Sequence, residues 1–113
     1  MKDYMLLFRG GLDFSTATPE QLQEAMQKWR TWMDELITEG TYTGGERLVP
    51  GTGTVLSGSK KHMTDGPFAE GKEMVGGYIS IKAENGTHAA EIAKGCPIFG
   101  YEGIVEVREI VSM

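Results

Sequence analysis

A chain of 113 residues, 40% hydrophobic and 24% charged, has room for one globular domain over residues 1–113 with a core of moderate size, and none for a second. Its formal net charge of −5, with Lys60-Lys61 as the densest basic pair, argues against a nucleic-acid binder, which needs clustered cations to replace counterions on phosphate. The single cysteine, Cys96, excludes an intrachain disulfide and a thiolate zinc cluster, and the apolar run after Lys2 and Asp3 is too short for a signal core or a membrane span, so a cytoplasmic location is expected.

In chain order, Tyr4-Met-Leu-Leu-Phe is continuously apolar and is followed by Gly10-Gly11, the pattern of a strand covered on both faces. Thr18-Pro19-Glu20-Gln21 offers an N-cap hydroxyl, a proline at the first helical position and a reciprocal capping partner, so a helix is predicted from here to a C′ glycine at Gly40. Leu22, Ala25, Met26, Trp29, Trp32, Met33, Leu36 and Ile37 form its apolar stripe, with Gln23, Lys28, Arg30 and Asp34 facing away.

The next stretch is short, glycine-punctuated and β-like. A strand is predicted over 46–49, then a hairpin of 54–57 and 60–64 about Gly58-Ser59, whose leading glycine suits a type II′ turn. A long strand over 73–83 follows, with Val75, Gly77, Ile79 and Ile81 on one face and Met74, Gly76, Tyr78 and Ser80 on the other. Asn85-Gly86 leads into a short helix over about 87–94, stopped by Gly95 and Pro97. A last strand over 103–111 carries Val105 and Val107 on one side, and Ile104, Glu106, Arg108 and Ile110 on the other.

This succession is the βαββαβ order of a ferredoxin-like α+β fold with an inserted β-hairpin. Two helices can cover only one side of such a sheet. The other side keeps apolar residues including Met74 and Tyr78, so a second copy of the chain is the expected cover, giving a homodimer.

The most unusual stretch is Asp65-Gly-Pro-Phe-Ala-Glu-Gly-Lys-Glu-Met-Val-Gly-Gly-Tyr78, a turn that runs into a strand. Asp65 can accept from amides two residues on, Gly66 tolerates a positive φ, and Pro67 fixes its own φ. One reading is structural: Asp65 caps, Phe68 plugs the core, and Lys72 pairs with Glu70 or Glu73. The other is a site in which Asp65 and Glu73 are the catalytic pair, one carboxylate raised in pKa by like-charged neighbours, with Phe68, Glu70, Lys72, Tyr78, Arg9 and Arg108 as ligand-binding residues.

The same stretch, together with Tyr4-Met-Leu-Leu, Thr18-Pro-Glu-Gln, Gly44-Gly-Glu, Gly95-Cys-Pro and Val105-Glu-Val-Arg, is similar to the DGPF-type proteins of the YCII-related superfamily. That resemblance implies a ferredoxin-like subunit that dimerises into an α+β barrel, and no settled activity. Some YCII-related proteins resemble acid-base enzymes with a histidine near the first helix and an aspartate near the second, and one branch dehydrochlorinates an aromatic ring. Here no histidine precedes His62, and Gly95-Cys96-Pro97 stands where that aspartate would be sought. DGPF-type proteins are also associated with extracytoplasmic-function sigma factors and labelled transcription-initiation proteins. The resemblance therefore implies a non-catalytic, regulatory module for a small ligand or for a partner such as a sigma factor; the alternative is a cofactor-independent lyase or dehydrochlorinase-like enzyme.

Elsewhere the residues promise little chemistry, and neither a metal nor a cofactor is expected. His62 and His88 lack a spaced second ligand, Gly44-Gly45 and Gly76-Gly77 read as bulges or close backbone approaches, and Cys96 before Pro97 reads as buried packing. Trp29 and Trp32 read as core, with an aromatic pocket wall as the alternative.

Overall fold

The structure, a computed structural model, describes residues 1–65 and 74–113, with only the backbone of Asp65. The described elements are β1 (Lys2–Arg9), α1 (Pro19–Thr38), β2 (Tyr42–Arg47), β3 (Thr54–Ser57), β4 (His62–Asp65), β5 (Val75–Ala83), α2 (Gly86–Ala93) and β6 (Ile104–Glu109). A 3-10 helix, Pro97–Tyr101, sits between α2 and β6 and was not foreseen. β2, β5, β1 and β6 form one antiparallel sheet in that order, and β3 pairs with β4 separately. This is the ferredoxin-like α+β arrangement with an added hairpin, and the two doubly apolar runs, β1 and β5, take the central places.

Local chemistry sets the ends of α1. The Thr18 hydroxyl accepts from the Gln21 amide at 3.1 Å and the Gln21 side chain accepts from the Thr18 amide at 2.9 Å, a complete capping box. At the other end Gly40, at φ 75°, donates to Ile37 O, and Thr41 donates to Leu36 O, which closes a Schellman motif. Ala25, Trp32 and Leu36 are buried and Trp29 and Met33 partly so, whereas Met26 and Ile37 stand about half exposed (51% and 54%). The predicted stripe is thus too broad: at about 100° per residue these two lie at its edge, past the curve of the sheet.

Phe8, Trp29 and Trp32 make three edge-to-face contacts with centroids 5.0, 5.7 and 6.3 Å apart, locking α1 over β1. The tryptophan pair is core, as the simpler reading had it. Tyr4, Leu6, Ile79, Ile81 and Ala83 complete the buried layer of the sheet, and Ala89 and Ala93 let α2 approach closely. Asn85 caps α2 by accepting from the His88 amide, and His88 Nδ1 in turn accepts from the Glu84 amide, so this histidine is occupied in the helix start.

Element ends shift by a few residues from the sequence expectation, and in the second strand and the hairpin the change has a physical reason. The strand expected over 46–49 is Tyr42–Arg47, because Gly44 and Gly45 belong inside it: a Cβ on Gly45 would lie 2.5 Å from Tyr78 O, and one on Gly77 would lie 2.9 Å from Glu46 O. These glycines are the close approaches and bulges anticipated, with register shifts between Tyr42 and Gly44 and between Phe8 and Arg9. The second shift pairs Arg9 with Val75, taking Val75 out of phase with Gly77, Ile79 and Ile81. The hairpin has no two-residue type II′ turn. Ser57 pairs with His62 across a loop of residues 58–61, with Gly58 and Lys61 at φ 75° and 55°. The longer loop sets Leu56 opposite Met63, where a two-residue turn would have set it opposite Lys61.

The second helix ends where Gly95 was expected to stop it: α2 closes at Ala93 with Lys94 as its C-cap, and Gly95 N donates to Ile92 O without taking a left-handed φ. Its reason is space, since a Cβ there would lie 3.0 Å from Trp32 Nε1.

Candidate functional site

Register assigns the side of the sheet that no helix covers. Met5, Leu7 and Arg9 of β1 alternate with the buried Tyr4, Leu6 and Phe8, and their partners Ser80 and Tyr78 on β5, and Arg108, Glu106 and Ile104 on β6, share their side. Glu46, Tyr78, Leu7 and Glu106 lie in one row across the four strands. Strands about 4.8 Å apart put Tyr78 and Glu106, two strands apart, roughly 10 Å from each other.

Glu106 is the hub of the polar part of this face. Arg9 Nη2 donates to Glu106 Oε1 at 2.6 Å and Arg108 Nη1 donates to Oε2 at 3.4 Å. The first bond is short and charge-assisted, while the second is at the edge of hydrogen-bond length. Arg9 and Glu106 side chains are each 34% exposed, so water still screens the pair and its net contribution to stability is about 1 kcal/mol or less. Arg9 Nε is buried without a partner among the described residues. Around this network Met5, Leu7 and Tyr78 are half-buried and Ile104 is 47% exposed. The arrangement can hold an anionic or planar group beside apolar surface, or meet a matching face of another subunit.

Of the predicted site residues, Arg9, Arg108 and Tyr78 therefore share one face. Phe68, Glu70, Lys72, Glu73 and the Asp65 side chain lie outside the described residues; the Asp65 backbone ends β4 opposite Thr54. Sequence reasoning offered the two arginines as ligand-binding residues beside the acidic turn and did not choose Glu106. Alternation in the last strand had already put Glu106 on the side of Arg108, but pairing with Arg9, 97 residues away, needs the β1–β6 register.

The only thiol is not a nucleophile. Cys96 is buried, and desolvation pushes its pKa up to about 12, against a smaller lowering from the Ile98 amide. Among the described residues no group of three His, Cys, Asp or Glu side chains is arranged to hold a metal, and no helix is long and apolar enough to cross a membrane.

The order of the strands and the position of the helices define a ferredoxin-like α+β subunit with both helices on one side of the sheet. The YCII-related domain model matches residues 4–113, and the chain belongs to this family. A comparison with curated proteins finds no match.

Proposed function

We propose that the chain is a non-catalytic binding module with a regulatory role, a homodimer that takes a small anionic ligand or a protein partner at the uncovered sheet face. One observation carries this reading: the Arg9–Glu106–Arg108 network, with Arg9 Nε buried and unpartnered among the described residues, set among Met5, Leu7 and Tyr78 on a side that no described helix covers. A second copy stacking on that face would bury its apolar part and desolvate the network, strengthening it. The resemblance to DGPF-type proteins supports an extracytoplasmic-function sigma factor as the partner and a cytoplasmic setting. The acid-base alternative draws on the crowding of Asp65, Glu70 and Glu73 in sequence.

The test has two parts. Light scattering across micromolar concentrations is expected to give a dimer, and a monodisperse monomer would overturn the stacking of sheet faces. Incubation with small carboxylates, followed by mass spectrometry, is expected to return them unchanged. Turnover abolished by Glu73→Gln would replace the binding reading with the enzymatic one.

A further inference from the structure

The β3–β4 hairpin is the part of the molecule that its own chain supports least. Its register puts Leu56 and Met63 together on one side, and Val55, Ser57, His62 and Thr64 on the other. Leu56 and Met63 are 61% and 67% exposed, so this apolar pair has no cover among the described residues. β3 and β4 pair only with each other and form no ladder with the main sheet. A lone two-stranded hairpin is at best marginally stable in water, and a packed side is what holds it. The outline is also wider than that of a compact domain: the Cα radius of gyration is 15.5 Å, against about 13 Å for a compact chain of this length.

Two observations say what covers the hairpin. The first is charge. From Leu48 to Thr64 the chain has two lysines, Lys60 and Lys61, and no acidic residue, so this stretch is basic in a chain of net charge −5. Neither lysine has an ion-pair partner among the described residues. A basic arm on an acidic body is complementary to a second copy of the same chain, whereas two lysines are too few to hold the phosphates of a nucleic acid.

The second is area. The uncovered side has four strands about 4.8 Å apart, and β2 and β6 have six residues each, so its footprint is roughly 400 Å², about half of the roughly 800 Å² per partner that a stable complex buries. The arm springs from this same side. Leu48 shares the side of Glu46 by alternation and donates to Gly76 O, and Val49 then leaves the sheet at the end where Arg9 pairs with Val75 and Ile104. In a two-fold dimer such an arm counts twice, once given and once received.

We propose that the β3–β4 hairpin is a clasp: the Leu56–Met63 side of one copy packs on the body of a second copy and completes the interface that the sheet faces begin. The clasp rests on the homodimeric reading above and adds to it a reciprocal contact that the sheet faces alone do not contain. Lys60 and Lys61 in the hairpin loop then lie over the acidic surface of the other copy.

Sedimentation of the full chain and of Leu56→Ser/Met63→Ser tests the clasp. The wild type is expected to be a dimer and the variant to dissociate about tenfold more readily or more, with an unchanged circular dichroism spectrum, because the exposed pair packs on nothing described within the subunit. Lys60→Glu/Lys61→Glu should weaken the dimer as well, and by less in high salt. A mixed dimer of methyl-labelled and unlabelled copies gives a second readout, in which the Met63 methyl is expected to show nuclear Overhauser contacts to protons of the other copy. A wild-type dimer that the double serine variant leaves undiminished, or whose Met63 methyl touches only its own copy, would overturn the clasp and leave the sheet-face homodimer standing. Retention on heparin that the double lysine variant loses, with dimerisation untouched, would overturn it in favour of a polyanion. A monomeric wild type would overturn both the clasp and the homodimer.

Discussion

The two sides of the four-stranded sheet are built from the same strands and have opposite characters. On β1, Tyr4, Leu6 and Phe8 are at most 8% exposed beneath α1 and α2, while Met5, Leu7 and Arg9, one position along in each case, are only half-buried. The covered side has no buried polar side-chain residue among those described and is held by edge-to-face rings and aliphatic contacts. The other side mixes methionine, leucine and tyrosine with a three-membered ion network. A surface that only had to be soluble would not keep Leu7 and Tyr78 adjacent, and one that only had to be packed would not keep Arg9, Glu106 and Arg108. The difference teaches that packing under the helices is confined to one side, while the other combines apolar and charged side chains with no helix over them.

The largest effect that sharpens this contrast is chemical. With its pKa pushed up to about 12, Cys96 on the covered side should react with a thiol reagent on the order of a thousandfold more slowly in the native chain than in denaturant. Linkage gives the sign of the pH effect. The unfolded thiol ionises near 9.0 and the native one near 12, so the native state binds the extra proton between them; stability from this group is intact below pH 9 and declines as pH rises toward 12. Denaturation curves that stay flat through that window would show Cys96 to be solvated.

Next is Leu6→Ala, at a residue with no exposure, which should lower the unfolding free energy by about 3 kcal/mol in urea titrations. Leu7→Lys, one residue on, should cost about 1 kcal/mol or less in the isolated subunit and should instead abolish self-association in light scattering. If both substitutions destabilise the subunit equally, the two sides are not distinct. The smallest effect belongs to Arg9→Met, which leaves Glu106, among the described residues, with the 3.4 Å contact from Arg108; a loss of about 1 kcal/mol or less, shrinking further in high salt, is expected by thermal melts.

Much of the frame is local and therefore readable. The capping box of Thr18 and Gln21, the glycine at Gly40 and the Asn85 cap are contacts between residues three or four apart, so spacing alone predicts them. The apolar runs of β1 and β5 placed both strands in the middle of the sheet, because only central strands are packed on two sides.

What sequence could not provide was anything depending on which strand lies beside which. Glu106 joins Arg9 only through the β1–β6 register, and Gly45 is required only because Tyr78 O passes beneath it. Leu56 stands opposite Met63 because the loop takes in residues 58–61 rather than Gly58-Ser59 alone. Gly95 likewise looks like a helix stop along the chain, and only the approach of Trp32 reveals why it has no side chain. The sequence by itself determined the two helices, the central strands and the order of the main elements, since these rest on interactions within a few residues. Tertiary structure alone decided the ion network, the hairpin register and the indole edge at Gly95, because each is a contact between segments that chain spacing leaves unrelated.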